Sequence, residues 1–138
     1  MTSTQFDCAI LCLRAWQAAK SDNIDELLAV ACTLRNRVHT WSKTYLQVCE
    51  EAVVNRPYPN LRHAAMIHPT SGLLAAIEGI YKNETPDMTS NHLRPHGALY
   101  FGRAVDHHNT GDWFDVHILK DPEAHGLIGS FGVQQFYE

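Results

Sequence analysis

The sequence predicts an α+β domain, mainly helical over its N-terminal two-thirds, with a small β-rich C-terminal part. Three observations carry this. Over roughly the first 85 residues, apolar side chains recur at helical spacing. After Pro86 the chain turns to short aromatic and β-branched segments, "GALYFGRAV", "WFDVHIL" and "FGVQQFYE", separated by glycine. The helices precede the strands instead of alternating with them, which is the order of an α+β fold. With 138 residues, 45% of them hydrophobic, there is room for one core, so residues 1–138 are expected to form a single domain.

The elements follow in order. A first helix is expected over residues 4–20, with Phe6, Ala9, Ile10, Leu13, Trp16 and Ala19 as its apolar stripe. "SDN" interrupts it, and Asp22 or Asn23 can cap a second helix that runs to about residue 39. Asp25 and Glu26 fall in its first turn, where acids complement the helix dipole. Ile24, Leu27, Leu28, Ala31, Leu34, Arg35 and Val38 trace its inner face. Arg35 alone breaks that stripe, so it is expected to reach a buried acid or a cleft. A third helix is expected over residues 42–54, capped by Thr40 or Ser42, with Trp41, Tyr45, Val48 and Cys49 on its apolar side. Pro57 and Pro59 end it. A short helix fits within residues 61–68. A fourth helix carries Leu73, Leu74, Ile77, Ile80 and Tyr81, with Thr70 or Ser71 as its cap.

Composition narrows the function. A net charge of −4 and a pI near 6.1 leave no basic stripe for nucleic acid. No apolar run approaches the ~20 residues of a membrane span. The N-terminus "MTSTQFDCAILCLRAWQAAK" lacks a basic leader and a cleavage site, which predicts a protein cytoplasmic as synthesised. Cys8, Cys12, Cys32 and Cys49 lie in helical patterns without C-x-x-C spacing and read as reduced core cysteines. His107, His108 and His117 match no zinc spacing, so no metal or other cofactor is expected.

The segment "WQAAKSDNIDELLAVACTLRNR" resembles the signature of the SleB-like cell wall hydrolases, roughly W-G-E-A-R-G-E-x-x-E-G-Q-x-A-V-A-x-V-x-x-N-R. Trp16, Ala19, Ala29, Val30, Ala31, Asn36 and Arg37 match; Lys20 stands for the arginine, and Asp22 and Asp25 for the later acids. "TYLQVCEEA" is similar to the family's T-Y-x-x-V-C-x-Q-P stretch. "AAIEGIYKNETPDMT" is similar to the helix leading into D-P-T. "GALYF" and "LIGSFGVQQFYE" resemble the two motifs that close the domain. The resemblance implies a lysozyme-like fold, a peptidoglycan glycan strand as target, and a bacterial or phage source.

Two departures stand out. The family's catalytic glutamate aligns with Ala18. Its Q-F-S-C-W segment is replaced by "VVNRPYPN". Glycosidic cleavage needs a carboxyl group to protonate the leaving oxygen, and an alanine methyl supplies none. General acid–base catalysis contributes about 10²–10⁴-fold. Asp22, Asp25, Glu50 and Glu51 are the candidate relocated acids. Asp22 and Asp25 also read as cap and dipole residues, and Glu26 as a solvated charge. Trp16, Arg35, His96 and Tyr100 are the candidate binding residues.

Three functions fit. One is a catalytically degenerate relative that binds a glycan strand or a protein target. Another is an active hydrolase or lytic transglycosylase with a relocated acid. The last is a phage-encoded interaction or inhibitor protein that acts in the host cell, with Tyr58, Trp113 and Phe114 as contact anchors.

Overall fold

A computed structural model describes residues 2–56 and 72–138. Helix α1 spans Ser3–Ala18. A reciprocal cap between Thr2 and Gln5 opens it. Helix α2 spans Ile24–Trp41, with Asn23 capping the Glu26 amide and Ser42 closing it in the left-handed region. Helix α3 spans Tyr45–Glu51 and α4 spans Gly72–Tyr81. Strand β1 (Tyr100–Gly102), the short helix α5 (Ala104–His107) and a π-helical turn (Asp115–Leu119) follow. The hairpin of β2 (Leu127–Phe131) and β3 (Gln134–Tyr137) ends the chain.

The α+β reading therefore holds. The sheet is antiparallel in the order β1-β3-β2, with Phe101 opposite Phe136 and a bulge between Leu127 and Gly129. Helix α1 packs on α2, α3 and α4. The core joins Leu11, Ala15 and Trp16 of α1 to Leu27, Val30 and Leu34 of α2, Ile77 and Ile80 of α4, and Phe136 of β3. All four cysteines are free and buried. Burial raises the thiol pKa of Cys12 and Cys32 to about 11 and of Cys49 to about 12.

Four local expectations are corrected. The buried face of α1 runs through Cys8, Leu11, Cys12, Ala15 and Ala19, while Phe6 and Leu13 are over one-third exposed, at 43% and 37%. Trp16 and the capping Ala19 are buried as expected, and Cys8, Leu11, Cys12 and Ala15 complete the inner face. Ile24 is likewise largely exposed at the start of α2. The third helix begins at Tyr45 because Thr44 and Gln47 form its capping box, and Trp41 belongs to the last turn of α2.

"WFDVHIL" is helical, not extended. Asp112 Oδ1 accepts from the Asp115 amide at 2.8 Å, and the buried Asp115 carboxylate accepts from the amides of Asn109 (3.1 Å) and Gly111 (3.0 Å). These local bonds override the strand propensity of the residues. The expected cap at Thr70 or Ser71, the short helix within 61–68, and Tyr58 lie outside the described residues.

Candidate functional site

Three parts of α2 bring most of the candidate residues into the structure: its first turn, its inward polar face and its last turn.

At the first turn, Ala18 is fully buried as the last residue of α1. Its carbonyl accepts from Asn55 Nδ2 at 2.7 Å and from Gln134 Nε2 at 3.2 Å. Beside it lies Glu26, which has no exposed surface. Its Oε1 accepts from Ser21 Oγ (2.9 Å) and the Val133 amide (2.8 Å). Its Oε2 accepts from the Lys20 amide, the Ser21 amide (3.2 Å) and Gln134 Nε2 (3.2 Å). Glu26 is thus a buried clasp, not the solvated charge expected from sequence. The turn after α1 leaves amides that no helix satisfies, and this carboxylate takes them. Gly132 makes the clasp possible: its φ is +60°, and a Cβ there would lie 2.7 Å from Glu26 Cβ.

Outside the clasp is a depression of about 440 Å³ lined by Lys20, Asn55, Arg56, Arg103 and Val133. Lys20 and Arg103 share Asp106, at 3.3 and 3.4 Å. Arg56 pairs with Asp22, donates to the Trp16 carbonyl, and lies 4.1 Å over the Trp16 ring. Trp16 itself is buried, at 2% exposure. The candidate acids are scattered. Asp22 is held by Arg56, and Asp25 is exposed in the first turn of α2. Glu51 pairs with Lys43 at 2.7 Å. Glu50 borders a separate depression of about 220 Å³ beside Leu13, Arg14 and Leu46. None of the four lines the depression next to Ala18.

The inward face carries a polar network. Arg35 meets the acid that its place in the stripe demands, the half-buried Asp87: its Nη2 lies 3.4 Å from Asp87 Oδ2, and its Nη1 donates to the Ile80 carbonyl. Asn36 Nδ2 donates to Asp87 Oδ2 at 2.8 Å and to the Ala98 carbonyl at 3.0 Å. Asp87 Oδ1 accepts from the amide and hydroxyl of Thr89, and Thr89 Oγ1 accepts from the Ala98 amide. Gly97 completes the closure. Its φ is +74°, and a Cβ there would fall 2.7 Å from Asn36 Nδ2. Arg35 is therefore a joint between α2, the exit of α4 and the approach to β1.

The last turn differs in kind. Arg37 donates through Nε to the Leu99 carbonyl at 2.7 Å. Its guanidinium lies 5.4 Å from the Trp41 ring, 5.4 Å from Phe101 and 5.9 Å from Tyr100. Burial lowers its pKa to about 10, against the opposing influence of Tyr100 and Glu51. Tyr100 touches Trp41 at 6.1 Å between centroids, Trp113 at 6.0 Å and His125 at 5.1 Å. Trp113 packs on His117 at 5.3 Å and is 58% exposed.

Of the candidate binding residues, only Tyr100 joins this cluster. His96 is exposed in the loop before β1, and Trp16 and Arg35 are interior. Sequence reading missed Arg37, Trp41 and Trp113 as a group, because they come from distant segments. For Glu26 a signal was present: Asn23 and Glu26 have the spacing of a helix cap and its third residue, which often turns its side chain back toward preceding amides. Among the described residues, no group of three His, Cys, Asp or Glu side chains is placed to hold a metal ion.

In comparisons with known proteins, no family model, curated protein or solved structure matches this chain.

Proposed function

We propose that this chain is a catalytically degenerate relative of the peptidoglycan-cleaving cell wall hydrolases, with a lysozyme-like fold, and that it acts by binding glycan strands. The observation that carries the reading is the state of the carboxylates around Ala18. The position of the family's acid is a buried methyl group, and the neighbouring Glu26 carboxylate is saturated by five donors and closed to solvent. A general acid must reach the leaving oxygen; the acids that border the depression, Asp22 and Asp106, are held in ion pairs with Arg56 and with Lys20 and Arg103. The interlock of Asn36, Asp87, Thr89, Gly97 and Ala98 supports the family reading. These residues belong to three segments whose resemblance was noted separately, and they meet in one network.

The rival reading, a hydrolase with a relocated acid, is disfavoured by the scatter of Asp22, Asp25, Glu50 and Glu51. The test is co-sedimentation with purified peptidoglycan beside a turbidity assay. The protein is expected to sediment with the wall without clearing it. Ala18→Glu is expected to restore no clearing and to lower the thermal midpoint, since Ala18 is fully buried. Clearing by the natural sequence would overturn the proposal.

A further inference from the structure

We propose that a cavity on the outer face of the sheet binds a small neutral molecule that joins an apolar ring to one hydroxyl group, a phenol being the simplest case. Binding there is independent of the wall reading above. The cavity measures about 600 Å³. Its walls include Val105 of α5, Ile118 and Leu119 of the π-helical turn, Leu127 of β2, Tyr137 of β3, and His125. Small-molecule sites commonly span roughly 300–1,000 Å³ and are mostly apolar, with a few placed polar groups.

Strand pairing explains why these side chains meet. Register partners in an antiparallel sheet project to one face, and successive residues alternate between faces. Tyr100, Tyr137 and Leu127 are partners in one row, and Phe101 and Phe136 in the next. The phenylalanines enter the core, so the Tyr137 row stands on the opposite face. There α5 and the π-helical turn close around it. Val105 and Leu127 remain 70% and 58% exposed, which leaves apolar surface open to solvent.

Two polar groups of the lining say what the ligand should carry. Tyr137 is 7% exposed, and its ring packs edge-on against Phe114 at 5.6 Å. Among the described residues its hydroxyl makes no hydrogen bond. Burial alone raises its pKa, with no bonded or charged neighbour contributing. A buried hydroxyl calls for a partner. His125 Nδ1 lies 2.8 Å from the Glu138 carbonyl oxygen. A carbonyl only accepts, so in the uncharged ring the proton sits on Nδ1 and Nε2 presents a lone pair. Among the described residues nothing donates to that nitrogen. A ligand hydroxyl is the group that can donate to Nε2 and accept from Tyr137. A hydrocarbon can do neither. A carboxylate is disfavoured, because no Lys or Arg lines the cavity. The nearby cations are committed, Lys120 to Asp115 at 3.2 Å and Arg94 to Glu138 at 3.3 Å. An anion taken into apolar walls without a counter-charge loses more than burial returns.

4-Ethylphenol, ethylbenzene and 4-ethylbenzoate share a ring and an ethyl group and differ only in the group they present, which makes them the matched probes. Each is titrated near neutral pH into the nitrogen-15-labelled chain and followed by amide chemical shifts. 4-Ethylphenol is expected to move the amides of residues 104–108, 118–120 and 125–127. It is expected to bind about tenfold more tightly than ethylbenzene, the scale of one net hydrogen bond, and 4-ethylbenzoate more weakly than either. Tyr137→Phe removes only the unpartnered oxygen. It is expected to leave the thermal midpoint in place and to bring 4-ethylphenol down to the affinity of ethylbenzene. Leu127→Gln, at an exposed position, is expected to weaken both, so the test survives if Tyr137→Phe folds poorly. The inference is overturned by no saturable shift with any probe, by shifts centred elsewhere, by ethylbenzene or 4-ethylbenzoate binding as tightly as 4-ethylphenol, or by a preference that persists in Tyr137→Phe.

Discussion

The two ends of α2 hold opposite charges in opposite states. At its first turn a carboxylate, Glu26, is sealed from solvent and bonded to five donors from the α1–α2 turn and the β2–β3 hairpin. At its last turns a guanidinium, Arg37, is fixed through one nitrogen and ringed by aromatic side chains, two of which reach the surface. A satisfied buried charge holds a fold together; a partly desolvated charge with open valences is available to a ligand. The first end is structural at the place where the resemblance would put chemistry. The second end sets a cation with one oxygen partner beside partly exposed rings. Substitutions should separate the two: changes at the Glu26 end should cost stability, and changes at the Arg37 end should cost recognition.

The largest expected effect is at the clasp. Glu26→Gln replaces one acceptor oxygen with an NH₂ that faces donors already in place. The loss is expected to be roughly 3–5 kcal/mol, from charged hydrogen bonds broken and buried amides left without partners. Against a typical stability of about 5–15 kcal/mol this is a large fraction, and a urea titration should show the midpoint fall accordingly. A change under 1 kcal/mol would mean that Glu26 is not the clasp described. Gly132→Ala comes next. It forces a Cβ onto a left-handed residue packed on Glu26, and about 1–3 kcal/mol should be lost. If Gly132→Ala is as stable as the natural protein, the hairpin does not close over Glu26 as described.

Arg37→Gln should cost less, about 1–2 kcal/mol, because it removes one hydrogen bond to Leu99 and a cation from among the rings. Wall co-sedimentation should nevertheless fall sharply. The reverse pattern, a large stability loss with binding kept, would make Arg37 another clasp and erase the contrast between the two ends.

Much of this arrangement was readable from sequence, and the rest was hidden for definite reasons. The helices were legible because their signals are local. Asn23 caps α2 within one turn, and the apolar stripe of α4 repeats within ten residues. The burial of Arg35 was legible because a charge on an apolar stripe must find an acid. The face of α1 was misread in part: Trp16 and Ala19 are buried as expected, but Cys8, Leu11, Cys12 and Ala15 hold the inner face where Phe6, Ala9 and Leu13 were expected. The turn at Asp115 was misread because β-branched and aromatic residues resemble a strand until Asp112 and Asp115 are seen capping amides. The aromatic shelf was hidden by topology. Residues 41, 100, 113 and 125 meet only after β1 docks on the end of α2. At the candidate site, alignment alone marked Ala18 and Tyr100. No pattern in the chain announced that Arg37 would lack an acid while Arg35 had one.

The smallest expected effect is also the sharpest for the comparison. Trp113→Ala removes a ring that is 58% exposed and packs at a tilt on Tyr100 and His117. Little apolar area returns to water, so stability should change by no more than about 0.5 kcal/mol. A core tryptophan truncated in the same way costs about 3–5 kcal/mol, which is the outcome to expect at Trp16, with 2% exposure. Thermal unfolding of the two variants therefore checks the division between interior and shelf. If Trp113→Ala unfolds as early as Trp16→Ala, the ring is part of the core and the last turn of α2 presents no open shelf. If it unfolds with the natural protein but no longer sediments with peptidoglycan, the exposed ring is kept for contact, and the two ends of α2 divide stability from recognition.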